Sequence, residues 1–426
     1  MTAPAGPTAA NETAANEQAR IVVVGAGHGG GNAAAALRQA GHKGEIVLIG
    51  DEPIVPYHRP PLSKGYLKGT AAMESLKLRP DSFYESAGIS LRLGQRATAI
   101  DGEGRRVMLA DGGSERFDLL LLATGSRARR LTIDGADLAG IHYLRSIADA
   151  DAIRDAVGPG RRLAIIGGGY VGLEAAASAL SLGARVVLLE RETRILARVA
   201  CEPLAAFFDS YHRAHGLDIR TEVGVDAFVG QEGHVAGVRL AGGEIVPCDA
   251  AIVGVGAEIC DELAREAGLI CERGGVVVDE NARTSVPGVY AIGDMTWRPM
   301  PLYGGRMVRL ESVPNALEQA RRAAADIMGK APPAHELPWF WSDQYDLKLQ
   351  IAGVPFDSHR LVIRGSPEDK RFAIFHLAQD SRVLAVEAVN MAPEFMAGRT
   401  LVANGRPVDP ARLADLSVPI KAIVAG

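Results

Sequence analysis

Two glycine-rich runs are the first residues in this chain whose spacing implies chemistry. Gly25-Ala26-Gly27-His28-Gly29-Gly30 and Gly167-Gly168-Gly169-Tyr170-Val171-Gly172 both fit G-x-G-x-x-G. In that pattern Gly25 and Gly167 permit a tight turn, Gly27 and Gly169 let the backbone approach a pyrophosphate, and Gly30 and Gly172 let helix and strand pack closely. Glu190 stands 23 residues after Gly167, where an acid bonds the ribose hydroxyls of NAD and repels a 2′-phosphate. Arg191, beside it, is a residue type that tolerates NADP, but the acid favours NADH. In the first run Gly50 holds the corresponding place and the acid, Asp51, follows one residue later. Ala123-Thr124-Gly125 and Gly293-Asp294 each end an apolar run. A flavin site draws on more of a chain than a nicotinamide site does, and these are the remote pieces it needs. The first run is therefore assigned to FAD and the second, with Tyr170 inside it, to NADH.

Such loops work only when a strand delivers them and a helix follows. Ile21–Val24 predicts a short buried strand, the Ala-rich stretch after it a helix to about Ala40 capped by Gly41, and Glu45–Ile49 a second strand. Leu163–Ile166, a helix ending near Gly183, and Arg185–Leu189 repeat that order. Phe117–Gly125, Ala250–Gly256 and Gly288–Asp294 read as buried strands ending in glycine turns. Beyond Pro332-Pro333 the character changes, and Leu347–Ile351, Arg360–Ile363, Arg371–Phe375 and Arg382–Val386 predict antiparallel strands. The expected organisation is a disordered tail over 1–19, a first nucleotide-binding domain over 20–125 and 258–333, a second over 126–257, and a C-terminal α/β domain over 334–426.

Composition narrows the function classes. A chain of 426 residues is too long for one ordinary core, and 47% hydrophobic with 23% charged residues is a globular balance. A net charge of −5 argues against a general nucleic-acid binder. No apolar run reaches bilayer length, and the first 19 residues lack the basic and apolar regions of a signal peptide, so a cytoplasmic protein without a membrane partner is expected. Cys201, Cys248, Cys260 and Cys271 form no C-x-x-C, which predicts unpaired, mostly buried thiols and no metal site. His212 and His215 have no partner pattern and read as surface or packing residues.

With these residues in view, the chain resembles the FAD-dependent, NADH-linked ferredoxin reductases of oxygenase systems. The matching segments are the first glycine loop, Pro60–Lys64 (PPLSK), Leu120–Gly125 (LLLATG), Ile165–Ala176 (IIGGGYVGLEAA), Ala291–Asp294 (AIGD), Glu311–Ala320 (ESVPNALEQA) and Pro338–Gln350 (PWFWSDQYDLKLQ). The earlier segments are shared by a wide flavoprotein superfamily; the last two are much narrower and carry the assignment. The fold this implies is α/β, with two Rossmann-like nucleotide-binding domains of the glutathione-reductase type plus an α/β C-terminal domain. The resemblance places Lys64 near the flavin N5 and pairs it with Glu174, two residues into the second helix. It gives the backbone N–H of Val313, after Ser312, to the flavin pyrimidine edge, and sets Trp341 beside the isoalloxazine. Pro314 suits the first position of a helix over Asn315–Ala323, whose dipole would favour the reduced anionic ring.

The activity implied is hydride transfer from NADH to FAD, then single-electron delivery to a [2Fe–2S] ferredoxin serving a cytochrome P450 or ring-hydroxylating oxygenase. Disulfide reductases of the superfamily need a dithiol beside the flavin, and its peroxidases and oxidases a single early cysteine. Pro56–Ser63 here contains no sulfur. A redox-responsive interaction flavoprotein with slow turnover, or another NADH-dependent flavin reductase, stays open until ferredoxin-dependent turnover is measured. Ferredoxins being commonly acidic, Arg306, Arg309, Arg321, Arg322 and Lys348 are the expected basic docking residues. The reading predicts a yellow protein whose flavin is bleached by NADH faster than by NADPH in anaerobic stopped flow; a colourless protein, or a flavin that neither reduces, would overturn it.

Overall fold

Ile21–Val24 is apolar at every position because both of its faces are covered. In this computed structural model, which describes residues 16–425, the strand is the middle of a parallel five-stranded sheet. Its neighbours are Leu119–Leu122 and then Val289–Ala291 on one side, and Ile46–Gly50 and then Ile89–Leu93 on the other. Ile21, Val23, Ile46, Leu48 and Leu121 pack under the helices His28–Gln39 and Val313–Ile327 through Ala33, Leu37, Ala320 and Ile327. Val22, Val24, Val47, Ile49 and Leu122 face the other way, against Val107, Ala264, Leu269 and Val276. A sheet buried on both faces cannot alternate polar and apolar residues, which is why these strands read as continuous apolar runs.

This sheet belongs to the first of two compact units, made of the chain up to His58, Lys77–Arg127 and Ile259–Pro338. The second unit comprises Arg59–Leu76, Ala128–Glu258 and Trp339 onward. The segment Arg59–Leu76, which sequence order leaves inside the first nucleotide fold, thus clusters with the second. Of the tail read over 1–19, residues 1–15 lie outside the described residues, and the reading of disorder is corrected for the rest. Asn16 donates to the Ile327 carbonyl (2.9 Å) and Ala19, just before the central strand, is buried in the same core.

The second unit repeats the parallel architecture. Arg162–Ile166 is flanked by Arg185–Leu189 and Asp218–Arg220 on one side and by Ala250–Val253 and Ile141–Tyr143 on the other. Leu163, Ile165, Val186 and Leu188 pack on the helix Tyr170–Ser181 and on Phe208. That core continues into Leu347, Leu349, Phe372 and Ile374 of a five-stranded antiparallel sheet, ordered Trp339–Gln344, Leu347–Gly353, Val383–Val389, Arg371–Leu377, Arg360–Ser366. The C-terminal strands therefore share a core with the second nucleotide fold. Trp339–Gln344, recognised in the sequence only as a motif, is an additional edge strand of this sheet.

The helix expected over Asn315–Ala323 is longer, Val313–Ile327, and Pro314 is its second residue. Ser312 caps it by accepting from the Asn315 N–H (3.3 Å). A buried guanidinium fixes this end from below: Arg298, 2% exposed, donates to Asn315 Oδ1 (3.0 Å) and to Glu318 (2.9 Å). Removing one partner of a buried pair strands the other charge. Arg298→Ala is expected to lose about 3–5 kcal/mol in denaturant unfolding, and a loss below about 1 kcal/mol would show that the pair is solvated.

Candidate functional site

Gly25 (φ +110°) and Gly167 (φ +106°) turn the chain in a region that L side chains avoid, and a Cβ there would stand 2.2 Å from Ala123 O and 2.4 Å from Gly254 O. Gly30 and Gly172 exclude a Cβ by helix–strand contact, at 1.9 Å from Gly25 O and 2.3 Å from Gly167 O. Gly27 and Gly169 are different: a Cβ on either meets nothing within 4 Å. Space, not the fold, is what those two glycines preserve. Each is also the N-cap of its helix, without a side-chain cap and without an acid in the first turn. The first-turn N–H groups and the positive dipole end are thereby left for an anion. The chain's own groups fit a dinucleotide pyrophosphate at both loops.

Beside them the copies diverge in a reciprocal way. Glu190 Oε2 accepts from the Gly168 N–H (2.6 Å), and Oε1 from the Glu192 N–H (2.8 Å). Gly168 has no side chain to obstruct this carboxylate. In the first copy Ala26 stands where Gly168 does, and a Cβ on Gly50 would lie 2.5 Å from the Ala26 methyl. The methyl takes the room that an acid at residue 50 would need, which displaces the acid to Asp51. Asp51 is exposed, while the next acid, Glu52, accepts from the Tyr57 hydroxyl (2.6 Å).

The rest of the first unit's expected set clusters around these turns. Ala123 lies under Gly25, Gly125 O accepts from the Cys260 N–H (2.9 Å), and the Thr124 hydroxyl donates to Cys260 O (2.5 Å). Asp294 Oδ2 accepts from Ser126 (2.9 Å), and the Gly293 N–H donates to Gln319 (2.7 Å). Val313 opens its helix, so its N–H, with Pro314 having none, sits at the open end. The polar residues of ESVPNALEQA are largely structural here, since Asn315, Glu318 and Gln319 are buried and bonded within the unit.

In the second unit the structure brings Lys64 and Glu174 together. Lys64 Nζ lies 2.6 Å from Glu174 Oε2 and 3.1 Å from Pro60 O. Glu174 is the fifth residue of its helix rather than the second, in the second turn and not at the cap. Its carboxylate is buried and takes two hydroxyls that sequence reading missed, Ser63 on Oε2 (2.6 Å) and Ser342 on Oε1 (2.6 Å). Ser178, one turn along, donates to Ser63 O (2.7 Å) and ties the PPLS turn Pro60–Ser63 to the same helix. Trp341, half-buried, packs on Trp339 with ring centroids 5.4 Å apart. Tyr170 sets its ring edge-on to Phe340 (4.8 Å) and donates to Val199 O (3.3 Å), and burial pushes its phenol up. Nothing in the sequence spacing pointed to Ser342; an alternating strand after PWFW was the available signal.

Three further expectations change. Arg322 is buried, donating to Glu280 O (2.7 Å), Pro333 O (2.5 Å) and Asn281 (3.1 Å), and, contrary to expectation, offers no charge to a docking partner. Arg309 and Arg321 are paired with Glu311 and Glu336, while Arg306 and Lys348 are exposed. Of the cysteines only Cys248 is fully buried, and all four are unpaired. The fold, unlike the spacing, gathers Cys201, His376 and Glu387 within 4.8 Å. Burial, reinforced by the Glu387 charge, pushes the Cys201 thiol well up, which favours a thiol donating to Glu387 over a thiolate. His212 is a packing residue, but with partners that the spacing did not show: it is buried against Gln344 and Tyr345.

Residues 19–320 match the family described as pyridine nucleotide-disulphide oxidoreductase, and residues 339–424 the reductase C-terminal family. The chain belongs to the pyridine nucleotide-disulphide oxidoreductases. Among relatives of this family, a probable ferredoxin reductase of Castellaniella defragrans is 48% identical over 96% of this chain and 99% of its own length. The putidaredoxin reductase of Pseudomonas putida is 41% identical, covering 96% of this chain and 98% of that one. A crystal structure of the covalent putidaredoxin reductase–putidaredoxin complex superposes with a TM-score of 0.92 at 41% identity, over 96% of this chain and 98% of that one. Among the described residues of this family member, no helix is long and apolar enough to cross a membrane.

The open space at two glycines gives a paired expectation. Gly27→Ala should fold yet purify with little FAD, whereas Gly169→Ala should keep its FAD and raise the KM for NADH by about tenfold or more, a methyl-sized intrusion on a phosphate contact. Equal loss of FAD in both, read by absorbance per protein, would contradict the assignment of the loops.

Proposed function

We propose that this chain carries electrons from NADH through FAD to a [2Fe–2S] ferredoxin that supplies a cytochrome P450 or ring-hydroxylating oxygenase. The observation that carries the reading is chemical. Two loops are open to dinucleotide phosphates, and no cysteine occurs before Cys201 to retain electrons as a disulfide, so they leave to a partner. Relatives named as ferredoxin reductases over nearly their whole length support it. Domains are proposed as read from the sequence, with FAD on 20–125 and 258–333, NADH on 126–257 and a C-terminal domain over 334–426, in the cytoplasm.

Bound FAD supplies the conversion of one hydride into two single electrons, which a one-electron iron–sulfur acceptor requires. The first unit's residues hold it: Gly25, Gly27 and Gly30 the pyrophosphate, Asp51 the adenine ribose, Ala123, Thr124, Gly125, Gly293 and Asp294 the remaining polar groups, and Ser312 with the Val313 N–H the pyrimidine edge. The second unit holds NADH at Gly167, Gly169 and Gly172. Glu190, already fixed by two backbone N–H groups, presents its carboxylate to the ribose hydroxyls and disfavours a 2′-phosphate. Lys64 and Glu174 serve the hydride step as a preorganised charge pair, and Tyr170 and Trp341 supply aromatic walls. Overall, NADH and two oxidised ferredoxins give NAD⁺, a proton and two reduced ferredoxins.

With a panel of [2Fe–2S] ferredoxins under anaerobic conditions, two should be reduced per NADH consumed. The rate should fall steeply with salt, because association between opposite charges is screened. Arg306→Glu should lower kcat/KM for ferredoxin and flatten that salt dependence while NADH reduces the flavin normally. Turnover that ignores every ferredoxin would leave a slow redox-responsive flavoprotein; salt-independent turnover, unchanged by Arg306→Glu, would remove the basic docking.

A further inference from the structure

Glu174 is the inner end of a buried hydrogen-bond chain whose direction follows without locating a single hydrogen. An ionised carboxylate only accepts, so the Ser342 hydroxyl, 2.6 Å from Oε1, must donate to it. With its one proton committed, Ser342 Oγ accepts from Gln344 Nε2 at 3.0 Å. That orients the amide, and Gln344 Oε1 then faces His212 Nε2 at 2.6 Å, which must carry the N–H. His212 is left with Nδ1 as an acceptor, and the Tyr345 hydroxyl stands 3.2 Å from it. Every donor points toward Glu174.

Ser342, Gln344 and His212 are 1%, 1% and 0% exposed, so bulk water does not substitute for a lost link. Burial pushes His212 down to about 4, leaving the ring neutral at pH 7 with one proton to place. Tyr345 is held by stacking on His215, centroids 4.1 Å apart. The helix Glu202–Ala214 and the strand Trp339–Gln344 thus support a carboxylate that belongs to neither.

We infer that Gln344 and His212 are positioning residues for the Lys64–Glu174 pair, holding the Glu174 carboxylate through Ser342; this rests on the proposed role of that pair in the hydride step. The chain passes orientation and not protons, since an amide cannot take and give a proton in line without becoming an imidic acid. If His212 stops donating, the Gln344 amide is free to turn over. The Ser342 proton then follows the amide oxygen, and a lone pair faces Glu174 Oε1. The carboxylate keeps Ser63 and Lys64 on one oxygen only, and Lys64 Nζ loses its fixed partner geometry.

The test compares the holoenzyme with Gln344→Leu, His212→Leu, His212→Gln and Glu174→Gln in anaerobic stopped flow, using NADH and 4-deuterated NADH. Melting temperature and flavin content are read on the same samples. Gln344→Leu removes the N–H that holds Ser342 Oγ, freeing that side chain to turn away from Glu174 Oε1, and His212→Leu frees the amide to compete for the Ser342 proton. Both should slow hydride transfer per bound flavin by about tenfold at saturating NADH, the scale of a weakened hydrogen bond to a charged group. The NADH half-saturation should stay within about twofold, and the isotope effect should be full. His212→Gln, whose amide N–H reaches the place of Nε2, should recover most of the rate. A purely structural role would lower the melting temperature of these variants without slowing the flavin that remains bound. Wild-type hydride transfer in Gln344→Leu beside a slow Glu174→Gln would overturn this inference alone. Wild-type transfer in Glu174→Gln would overturn the reading of the pair, and this inference with it. Should Gln344→Leu not fold, equal rates in His212→Leu and His212→Gln would overturn it.

Discussion

A charge removed from water must be met by groups already in place, because the interior cannot reorganise around it as solvent does. Glu174 imposes that condition on the second unit. Its carboxylate draws Lys64 and Ser63 from the turn after Arg59, Ser342 from the first strand of the C-terminal sheet, and through Ser342 a further amide and imidazole. Three stretches far apart in sequence are thereby committed to one arrangement. The first unit has its own version in Arg298 and Glu318, which anchor the helix beginning at Val313. In each case a titratable group buried against apolar packing turns a flexible connection into a defined one.

The glycine loops obey a complementary constraint, of space instead of charge. A backbone can approach a phosphate only where no Cβ intervenes, and Gly27 and Gly169 leave such openings while their neighbours are closed by contact. The two copies are nevertheless not interchangeable. Gly168 makes room for Glu190, and Ala26 forbids an acid at Gly50, so a single methyl decides where each copy can place its ribose contact. A difference of one residue in the position of an acid thus has a steric origin in the loop opposite.

Much of the fold was legible because its signals are local. The central strands Ile21–Val24 and Leu163–Ile166 are unbroken apolar runs followed by glycine turns, and the structure alters their limits by no more than a residue. The site was legible in part. Lys64 and Glu174 were paired by resemblance, and the geometry joins them, but Glu174 lies a turn deeper in its helix than was read. Ser342 and Gln344 offered only the alternation of their strand, and His212, some 130 residues earlier, offered nothing, since such side chains are ordinary polar residues until a fold buries them together. Arg322 misled in the opposite sense: an arginine in a polar-looking helix reads as exposed, and only the carbonyls of Glu280 and Pro333 show it to be a buried strut.

What the sequence determined by itself was the repeated strand–glycine–helix–strand order, and with it the two nucleotide loops and the absence of a redox thiol near the first. Those properties belong to neighbours in the chain and to residue types, so spacing suffices to express them. The tertiary structure alone decided that Arg59–Leu76 joins the second unit, that the C-terminal strands share its core, and which side chains surround Glu174. Burial and long-range hydrogen bonds depend on which surfaces meet, and no local pattern records that.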